Sequence, residues 1–228
     1  MEHAKQPLIV YGDSDYAQML AGYFERDGGY TVAAYCVDRA YKRRETVGDI
    51  PVVAYEEVTD VLPVDRYHIF AAIGYKSVRL HRDLYRKVAS LGYPVARYVS
   101  PQAFVDPSAS IGENCMVLPG AIVEPYVRIE ANCFVNSGAI VTHHARIEAH
   151  TIVAAGALIG GHSEVGEASL VGFHATVGEL VVLGEETLVA AGSVLLESTQ
   201  PHTMYAGAPA KAIRTHRQTG IVLSDQKR

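Results

Sequence analysis

Aliphatic residues recur at every sixth position through the second half of the chain, from Val105 to Leu195. All sixteen positions of this series hold Val, Ile or Leu, and no insertion or deletion interrupts it. The residue two places before each aliphatic is small or β-branched, and Gly often follows the aliphatic. Neither a helix period of 3.6 nor the alternation of an ordinary strand produces a strict period of six. The spacing therefore predicts a parallel β-helix over residues 101–199, in which each hexapeptide is one short strand and a turn.

Three hexapeptides are expected to close one triangular coil of eighteen residues, so each aliphatic stacks on the one eighteen residues away. The small residue is expected at the tight corner, and the Gly after the aliphatic, as at Gly112 and Gly160, is expected to supply backbone freedom at the turn, including a positive φ. The series makes about five coils, more than the three repeats that such a fold needs. Cys115 and Cys133, eighteen residues apart, are predicted to stack in the core without a redox role.

The first hundred residues follow a different pattern, in which short apolar strands alternate with amphipathic helices. Strands are predicted at 8–12, 30–37, 68–74 and 94–99, and a first helix at about 16–26. A second helix is expected to bury one face, made of Leu80, Leu84, Val88 and Leu91. Strand–helix alternation with glycines at strand ends predicts a small, doubly wound, Rossmann-like α/β domain over residues 1–100. The β-helix of residues 101–199 and a C-terminal segment of residues 200–228 follow it.

The carboxyl ends of the predicted strands are the candidate ligand-binding edge of this α/β domain, because ligands of doubly wound sheets bind there. These ends carry Gly12, Asp13, Ser14, Asp38, Gly74 and Lys76. A G-x-G-x-x-G fingerprint is absent, which argues against a dinucleotide redox cofactor. Backbone amides after Gly12, at a helix N-terminus, fit the phosphate of a mononucleotide or nucleotide sugar. A purely structural role for the glycines predicts the same residues equally well.

The composition of the chain argues against nucleic acids and membranes as binding partners. A formal net charge of −5 and a pI of about 6.0 argue against a nucleic-acid-binding surface. No run of eighteen apolar residues and no apolar signal-peptide core is present, so we expect no membrane partner and a soluble, cytoplasmic protein. The three cysteines lack the spacing of metal ligands, and no metal site is predicted.

Histidine is the main chemistry-bearing residue type within the repeats. His143 and His144 occupy the turn after a core aliphatic, and His162 lies one coil beyond His144 at the same corner. Stacked coils would separate these two imidazoles by one strand spacing, about 4.8 Å. By contrast, His150 and His174 are expected to be solvated corner residues without a function.

Three stretches of the chain resemble the hexapeptide-repeat acyltransferases, specifically the bacterial nucleotide-sugar N-acetyltransferases and sialic acid O-acetyltransferases. They are residues 8–14 with Asp38, the segment Asn136-Ser-Gly-Ala-Ile-Val-Thr-His143-His144 with Gly161-His162 one coil later, and Ala206-Gly-Ala-Pro-Ala-Lys211. The resemblance covers nearly all 228 residues and implies that the β-helix is left-handed. It also implies acetyl-CoA-dependent N-acetylation of a nucleotide-linked amino sugar, such as a 4-amino-4,6-dideoxy sugar, in the synthesis of cell-surface glycans such as lipopolysaccharide.

The resemblance further implies roles for individual residues. His143 is the general base that deprotonates the attacking amine, a role typically worth about 10²–10⁴ in rate. His144 stands where the family often has Glu or Asp, so it either supports the base by hydrogen bonding or contacts the substrate. The Gly161 amide donates to the thioester oxygen, with His162 beside it. Ile152 stands at a position that is often His, which removes one possible contact to acetyl-CoA. The residues near the adenine end of acetyl-CoA are Ala206, Gly207, Ala208 and Lys211.

The family's active sites form between neighbouring subunits, so the resemblance implies a homotrimer. In it the α/β domain binds the nucleotide, with Asp38 near the base or ribose and the turn of residues 12–14 near the pyrophosphate. Such an assembly needs apolar side chains that point out of the β-helix. The candidates are Leu118, Phe134, Ile140, Ile152, Leu158 and Leu170.

Three other functions are compatible with parts of the pattern. A sugar O-acetyltransferase of the sialic acid type would use the same fold and base, and nucleotide binding by residues 1–100 would discriminate against it. A metal-dependent, carbonic-anhydrase-like enzyme needs three imidazoles converging on zinc. His144 and His162 supply two, but the H-x₄-H pair expected of such enzymes is absent. A non-catalytic scaffold is disfavoured because a Rossmann-like domain and a G-x-P-A-K segment occur together.

Overall fold

The computed structural model describes residues 5–27, 29–72, 74 and 76–223. Their fold divides into two compact units. The first unit contains the described residues up to Gly74 and residues 83–98; the second contains those between 76 and 82 and from 99 onward. Residue 73 of the predicted third strand, and residues 1–4 and 224–228 of the predicted terminal regions, lie outside the described residues.

The first unit is built on a five-stranded sheet with the order β3-β4-β2-β1-β5, parallel except for β3. Because β2 and β5 lie on opposite sides of β1, the sheet has the arrangement of a doubly wound fold at its switch point, which supports the predicted Rossmann-like domain. The strands are β1 (Gln6–Tyr11), β2 (Tyr30–Val37), β3 (Thr46–Val47), β4 (Ile50–Ala54) and β5 (His68–Ala71). The helices are α1 (Asp15–Asp27) and α2 (Val58–Val61), with 3₁₀ turns at Arg39–Tyr41 and Tyr55–Glu57. A third helix, α3 (Val78–Ala89), belongs to the second unit up to residue 82 and to the first unit from residue 83.

Two strands of the first unit differ from the prediction. The expected strand at 94–99 is wrong, because residues 94–97 contribute only a single bridge, between Ile69 and Val95, and the next residues, Tyr98–Val99, form the short strand β6. In contrast, β4 was not predicted at all. It is five residues long and has Pro51 at its second position, and proline within a short apolar run argues against a strand when only the sequence is read.

Helix α3 buries a different stripe from the predicted one. Leu80 is 48% exposed, so the prediction is wrong at this position. The buried stripe follows the helical period, but a His and a Tyr lie at its centre. A prediction that counts only aliphatic residues does not recognise these two as buried. It consists of Val78, His81, Tyr85 and Val88.

The second unit is a parallel β-helix with three sheets, which confirms the prediction from the six-residue period. Face one has the order β24-β23-β21-β18-β15-β12-β9-β6, face two β22-β19-β16-β13-β10-β7, and face three β20-β17-β14-β11-β8. Paired strands are eighteen residues apart along the coils, as Val123 with Val141. The remaining strands are β7 (Phe104–Val105), β8 (Ser110–Ile111), β9 (Met116–Val117), β10 (Ile122–Val123), β11 (Arg128–Ile129), β12 (Phe134–Val135), β13 (Ile140–Val141), β14 (Arg146–Ile147), β15 (Ile152–Val153), β16 (Leu158–Ile159), β17 (Glu164–Val165), β18 (Leu170–Val171), β19 (Thr176–Val177), β20 (Val182–Leu183), β21 (Leu188–Val189), β22 (Val194–Leu195), β23 (Thr203–Gly207) and β24 (Ala210–Thr215).

The periodic aliphatics form the core of the β-helix. From Val117 to Leu195 every one of them is buried, while Val105 and Ile111 in the first coil are partly buried. The predicted cysteine stack is present: both thiols are buried, and the Cys133 amide donates to Cys115 Sγ at 3.4 Å. Burial raises the pKa of the Cys133 thiol, so the reactive thiolate form is disfavoured.

The glycines after the aliphatics have a different role from the predicted one. Neither Gly112 nor Gly160 adopts a positive φ. A Cβ at Gly160 would lie 2.5 Å from Glu179 N in the next coil, so Gly is required there because successive coils approach closely. Positive φ occurs instead three residues after each aliphatic from Asn114 to Gly192. The expectation of positive φ at Gly112 and Gly160 is therefore wrong.

Most of the apolar residues expected to point toward a neighbouring subunit are buried within this unit. Leu118, Phe134, Ile152 and Leu170 are at most 7% exposed, so the prediction is wrong for these four. Other parts of the second unit cover face one: the His81 ring lies 5.3 Å from that of Phe134, and Leu223 lines an apolar cavity of about 280 Å³ with Ile152 and Leu170. The other two candidates, Ile140 and Leu158 on face two, are partly exposed.

An ion pair fixes the segment that covers face one. The Arg79 guanidinium donates to both carboxylate oxygens of Glu186, with distances of 2.7 to 3.0 Å, and to the carbonyl of Gln218 at 2.9 Å. Burial raises the pKa of Glu186, but Arg79 and His202 outweigh this effect and hold the pKa below its usual value. No helix in the described ranges is both long and apolar enough to cross a membrane.

Candidate active site

The turn between β13 and β14 positions two of the predicted site residues, His143 and His144. Its backbone is tied to the preceding coil, because the His143 amide donates to the Glu124 carboxylate at 2.9 Å and the His144 amide donates to the Pro125 carbonyl at 3.0 Å. In the next coil, His162 N donates to the His143 carbonyl at 3.1 Å. Three successive coils therefore hold the turn in place.

The side chains of His143, His144 and His162 form one exposed cluster, which we call the histidine corner. The rings of His144 and His162 stack with centroids 4.6 Å apart and planes 15° apart, which confirms the stacking predicted from their spacing. His143 Nδ1 lies 3.3 Å from His144 Nδ1. The eighteen-residue repeat thus brings His144 and His162 together, and His143 joins them as the chain neighbour of His144.

Gly161 lies directly against the ring of His143. A Cβ at this position would be 2.7 Å from His143 Cε1 and 3.0 Å from Nε2, so only Gly leaves room for the imidazole. Its carbonyl accepts from the Leu180 amide at 2.9 Å, whereas its N–H has no acceptor within the described part of the chain. A free amide donor therefore lies beside an exposed imidazole, which is the pairing that acyl transfer requires.

The contact between the two Nδ1 atoms constrains the protonation of the pair, because one of them must donate and the other accept. If His143 Nδ1 carries the proton, its Nε2 is free to act as a base on the side that faces Gly161. His144 then accepts the hydrogen bond and orients the base, as a carboxylate does in catalytic triads. In that tautomer, His144 occupies the place of the acidic residue that the resemblance leads one to expect after His143.

The histidine corner does not fit a zinc site in this arrangement. One ring nitrogen from each histidine lies within 4.8 Å of the others, but zinc must lie close to the plane of each imidazole that ligates it. The rings of His144 and His162 are stacked with their planes only 15° apart, so one ion cannot lie in the planes of both rings. A carbonic-anhydrase-like centre would require at least one of these rings to turn.

A surface depression of about 460 Å³ lies on face three beside the histidine corner. The ring of Tyr126 lies 4.8 Å from that of His144, and Arg128 pairs in register with Arg146. Sequence reasoning missed these residues, although they follow the same eighteen-residue spacing as His144 and His162. The lining consists of Tyr126, Arg128, His144, Arg146, His162 and Glu164.

The two histidines expected to be solvated have different environments. His174 is exposed as expected. His150 is only 4% exposed, so that prediction is wrong for this residue. Its Nδ1 lies 3.0 Å from Asn132 Nδ2, and Asn114 donates to Asn132 at 2.8 Å. These side chains form a buried polar column whose hydrogen bonds satisfy the corner of the coils.

In the first unit, the turn at residues 12–14 already has structural roles. Gly12 has a φ of +113°, and a Cβ there would lie 2.7 Å from the Ala72 carbonyl oxygen. Ser14 Oγ accepts from the Ala17 amide at 3.3 Å at the start of α1, as N-cap residues do. Asp13 forms an ion pair with Arg44 at 2.9 Å. These contacts give all three residues of the turn a structural role.

Asp38 lies at the carboxyl end of β2, where the sequence places it. Its Oδ1 accepts from the Tyr11 hydroxyl at 2.8 Å and from Lys87 Nζ at 2.5 Å, and Lys87 lies 4.0 Å from the centre of the Tyr55 ring. Burial raises the pKa of Asp38, but these two hydrogen bonds outweigh it and hold the pKa below its usual value. Oδ2 accepts no hydrogen bond from the residues described and is available to a ligand.

The last two predicted substrate residues lie in different units. Gly74 belongs to the first unit, and Lys76 to the second. Lys76 is exposed, and its carbonyl accepts from the Leu223 amide at 3.1 Å.

The predicted adenine-binding residues lie on the hairpin formed by β23 and β24, at the last coil. Gly207 ends β23 with a φ of +104°, and its amide donates to Ser193 Oγ at 3.1 Å. The amine of Lys211 is exposed and lies 3.7 Å from Glu197. Ala206 is partly exposed, and Ala208 is exposed. Along face one the hairpin is four strand steps beyond the coil of His143, or about 19 Å along the β-helix axis.

Comparison with known proteins supports the same class of fold. The family model described as the GMPPB C-terminal domain matches residues 99–204. None of the curated protein sequences compared with the chain matches it. The acetyltransferase domain of PglB from Neisseria gonorrhoeae is 25% identical, with a TM-score of 0.80, and the match covers 92% of this chain and 100% of that one.

Two structures from Caulobacter crescentus are similar to the same degree. PerB, in complex with CoA and GDP-perosamine, is 27% identical, with a TM-score of 0.81 and coverage of 91% of this chain and 97% of that one. A histidine-to-alanine variant of GDP-perosamine N-acetyltransferase, with the same ligands, matches with equal identity, coverage and TM-score. The structural neighbours are acetyltransferases. Their similarity extends over both units of the chain.

Proposed function

We propose that the protein is an acetyl-CoA-dependent N-acetyltransferase that acts on a nucleotide-linked amino sugar. The observation that carries this proposal is the histidine corner, in which the ring of His143 lies against Gly161 and beside its free amide. A chain with this corner is similar over 91% of its length to an enzyme crystallised with CoA and GDP-perosamine. General base, amide donor and overall fold all favour the same reaction.

In the proposed reaction, the acceptor amine attacks the carbonyl carbon of the acetyl thioester. His143 Nε2 removes a proton from the amine as the new C–N bond forms. The Gly161 amide donates to the thioester oxygen while negative charge develops on it. The C–S bond then breaks, and the imidazolium of His143 returns its proton to the sulfur of CoA. His144 accepts the hydrogen bond from His143 Nδ1 throughout and keeps the base oriented.

Acetyl-CoA is proposed to bind along the later coils of the β-helix. Its thioester reaches the corner beside Gly161 and His162, and its adenine end lies near the hairpin that carries Ala206, Gly207, Ala208 and Lys211. The separation of about 19 Å along the axis suits the extended pantetheine arm. The exposed amine of Lys211 is able to pair with a phosphate of CoA.

The nucleotide is proposed to bind at the carboxyl ends of β1, β2 and β5, at the switch point of the first sheet. There, the free Oδ2 of Asp38 accepts a ribose hydroxyl or an N–H of the base. The turn at residues 12–14 precedes the N-terminus of α1, where backbone amides favour phosphate. Gly74 follows β5 at the same edge and is part of the proposed site, whereas the proposed role of Lys76 rests on the sequence resemblance alone.

We further propose a cytoplasmic homotrimer that acts in cell-surface glycan synthesis, with a left-handed β-helix. Association through face two is supported by a ladder of aliphatic side chains that remain partly exposed, including Ile122, Ile140 and Leu158. Phe104, at the start of the same ladder, is 57% exposed. His143 directly follows this face, so a partner packed on it would lie beside the proposed base.

The test is release of CoA thiol from acetyl-CoA in the presence of UDP-, dTDP- and GDP-linked 3- and 4-amino sugars, with free sialic acid for comparison. Saturable turnover with a nucleotide-linked amine, and an amide in the product by mass spectrometry, supports the proposal. Turnover with free sialic acid alone makes the protein an O-acetyltransferase. No thiol release with any acceptor refutes both activities on these substrates.

A further inference from the structure

Glu124 places a carboxylate at the histidine corner, from the coil that precedes His143. It follows β10 at the corner between faces two and three, and its amide donates to the Val141 carbonyl at 3.0 Å. Its Oε2 accepts from the His143 amide at 2.9 Å. Its Oε1 accepts no hydrogen bond, and the carboxylate forms no ion pair, with any residue that the structure describes. A partly exposed, unpaired carboxylate oxygen is therefore held beside the residue that carries the proposed base.

The coil itself does not require a carboxylate at this position. Eighteen residues later the same position is Thr142, which donates its hydroxyl to a backbone carbonyl, and one coil further it is Gly160. The amide equivalent to that of His143 in the next coil belongs to Gly161, and it has no acceptor within the described residues. Since that coil is formed without such an acceptor, the charge of Glu124 needs a reason other than the fold.

The carboxylate is close to the base without being bonded to its ring. None of the ion pairs between described residues joins Glu124 to a ring nitrogen of His143. An amine nitrogen has two N–H groups, and two acceptors that each bind one of them at about 2.9 Å lie about 4.7 Å apart. One N–H would donate to His143 Nε2 and the other to Glu124 Oε1, which leaves the lone pair for the attack. A hydroxyl has a single O–H and would leave one of the two acceptors without a donor.

The charges around His143 also distinguish the two kinds of acceptor. When an amine attacks a thioester, positive charge develops on its nitrogen and negative charge on the carbonyl oxygen. Glu124, one coil before His143, favours the first of these charges, and the free amide of Gly161, one coil after it, favours the second. A hydroxyl instead gains negative character as it loses its proton, and a nearby carboxylate opposes that change.

We propose that Glu124 binds the acceptor amine and selects it over a hydroxyl group. This inference rests on the proposed function and decides between its two acceptor classes in favour of N-acetylation. Of the two amine protons, one passes to His143 Nε2 and then to the sulfur of CoA. The other stays on the nitrogen, donates to Glu124 Oε1 throughout and becomes the N–H of the amide product. Glu124 itself neither gains nor loses a proton.

The experiment measures binding by calorimetry, so it does not depend on turnover. UDP-, dTDP- and GDP-linked 4-amino-4,6-dideoxy sugars, and the same compounds with a 4-hydroxyl group, are titrated into the wild-type protein and into Glu124→Gln. Glutamine has one acceptor oxygen, which binds either the His143 amide or the amine but not both.

We expect the wild-type protein to bind its preferred amino sugar about tenfold or more tightly than the hydroxyl counterpart, because a charge-assisted hydrogen bond is made only to the amine. Glu124→Gln is expected to lose most of this preference and to bind the hydroxyl compound as the wild type does. Glu130→Gln, which removes an exposed carboxylate from the same coil, is the matched control and is expected to keep the preference.

Four outcomes overturn the inference: an unchanged amine preference in Glu124→Gln, equal weakening of both compounds, no preference in the wild-type protein, or no binding of any of these compounds. Equal weakening would mean that Glu124 only holds the turn of His143. Acetyl transfer to the amine with a preference independent of Glu124 supports the proposed function and refutes the inference alone. A Glu124-dependent preference in binding, without acetyl transfer from acetyl-CoA, supports the amine site and refutes only the proposed function.

Discussion

Replacing Gly161 with Ala tests the geometry of the histidine corner with a single methyl group. Gly161 does not have a positive φ, so its backbone accepts Ala without strain. The added Cβ would meet no backbone atom first; its nearest neighbours are Cε1, Nε2 and Nδ1 of the His143 ring. The substitution therefore acts on the imidazole and leaves the coil intact.

The size of the effect follows from the distances. The Cβ would lie 2.7 Å from His143 Cε1, whereas ordinary contacts of this kind begin at 3.4 Å. The ring must therefore move by about 0.7 Å. Since a misplacement of about 1 Å costs about 10²-fold in rate, we expect kcat to fall by about 10- to 100-fold. The melting temperature is expected to change little, because the ring is exposed and has room to move.

The assay is acetyl transfer at saturating substrates, with the melting temperature measured in parallel. Gly160→Ala is the contrasting variant: its Cβ would lie 2.5 Å from Glu179 N, a backbone atom of the next coil. It is expected to destabilise the protein strongly. Gly22→Ala is the control, since nothing lies within 4 Å of its Cβ, and an Ala in helix α1 is expected to add about 0.5–1 kcal/mol of stability. Wild-type kcat in a folded Gly161→Ala protein would refute the placement of His143 as the base.

Three further predictions concern the fold and its assembly. None of the three cysteines is expected to react with a thiol reagent in the native protein, because all are buried. Burial and the charge of nearby carboxylates also raise the pKa of Cys36 to about 12. Rapid labelling without denaturant would contradict this prediction. Arg79→Ala is expected to lower the free energy of unfolding by about 3 kcal/mol, the lower end for a broken buried ion pair, since Arg79 is 28% exposed. The pKa of Glu186 is lowered in the folded state, so the contribution of this pair is present above about pH 4.5 and lost at lower pH; a denaturation series with equal losses at pH 3 and pH 7 would contradict it. Ile140→Arg is expected to convert the proposed trimer to monomers in light scattering and to abolish activity, because the charge would be buried in the proposed interface; an unchanged mass would contradict an interface on face two.

The β-helix was largely predictable because a period of eighteen residues converts sequence spacing directly into spatial neighbourhood. Residues eighteen apart, such as His144 and His162, stack in neighbouring coils regardless of the rest of the chain. The sequence spacing therefore predicts that the side chains of the histidine corner lie close together. Arg128 and Arg146 obey the same spacing. They were missed because the sequence was searched for histidines. Two arginines eighteen residues apart become noteworthy only when they are placed at the same position of neighbouring strands.

The rest depends on contacts that have no local signature. That face one is covered by residues 76–82 and the segment near Leu223 follows from the packing of remote parts of the chain. Because the side chains of Phe134 and Ile152 point out of the β-helix, the sequence predicted that they are exposed, whereas the structure buries them. In the first unit, the partners of Asp38 come from β1 and α3. The sequence identifies the carboxylate at the end of β2 but not the lysine and tyrosine that occupy one of its oxygens.

The central claim, that His143 is the general base, is tested most directly by the turnover of His143→Asn. His174→Asn, a substitution of another exposed corner histidine, is the matched control. The account predicts that His143→Asn lowers kcat by about a hundredfold or more and leaves the affinity for acetyl-CoA nearly unchanged, while the control retains wild-type kcat. Near-wild-type turnover of His143→Asn would contradict the account.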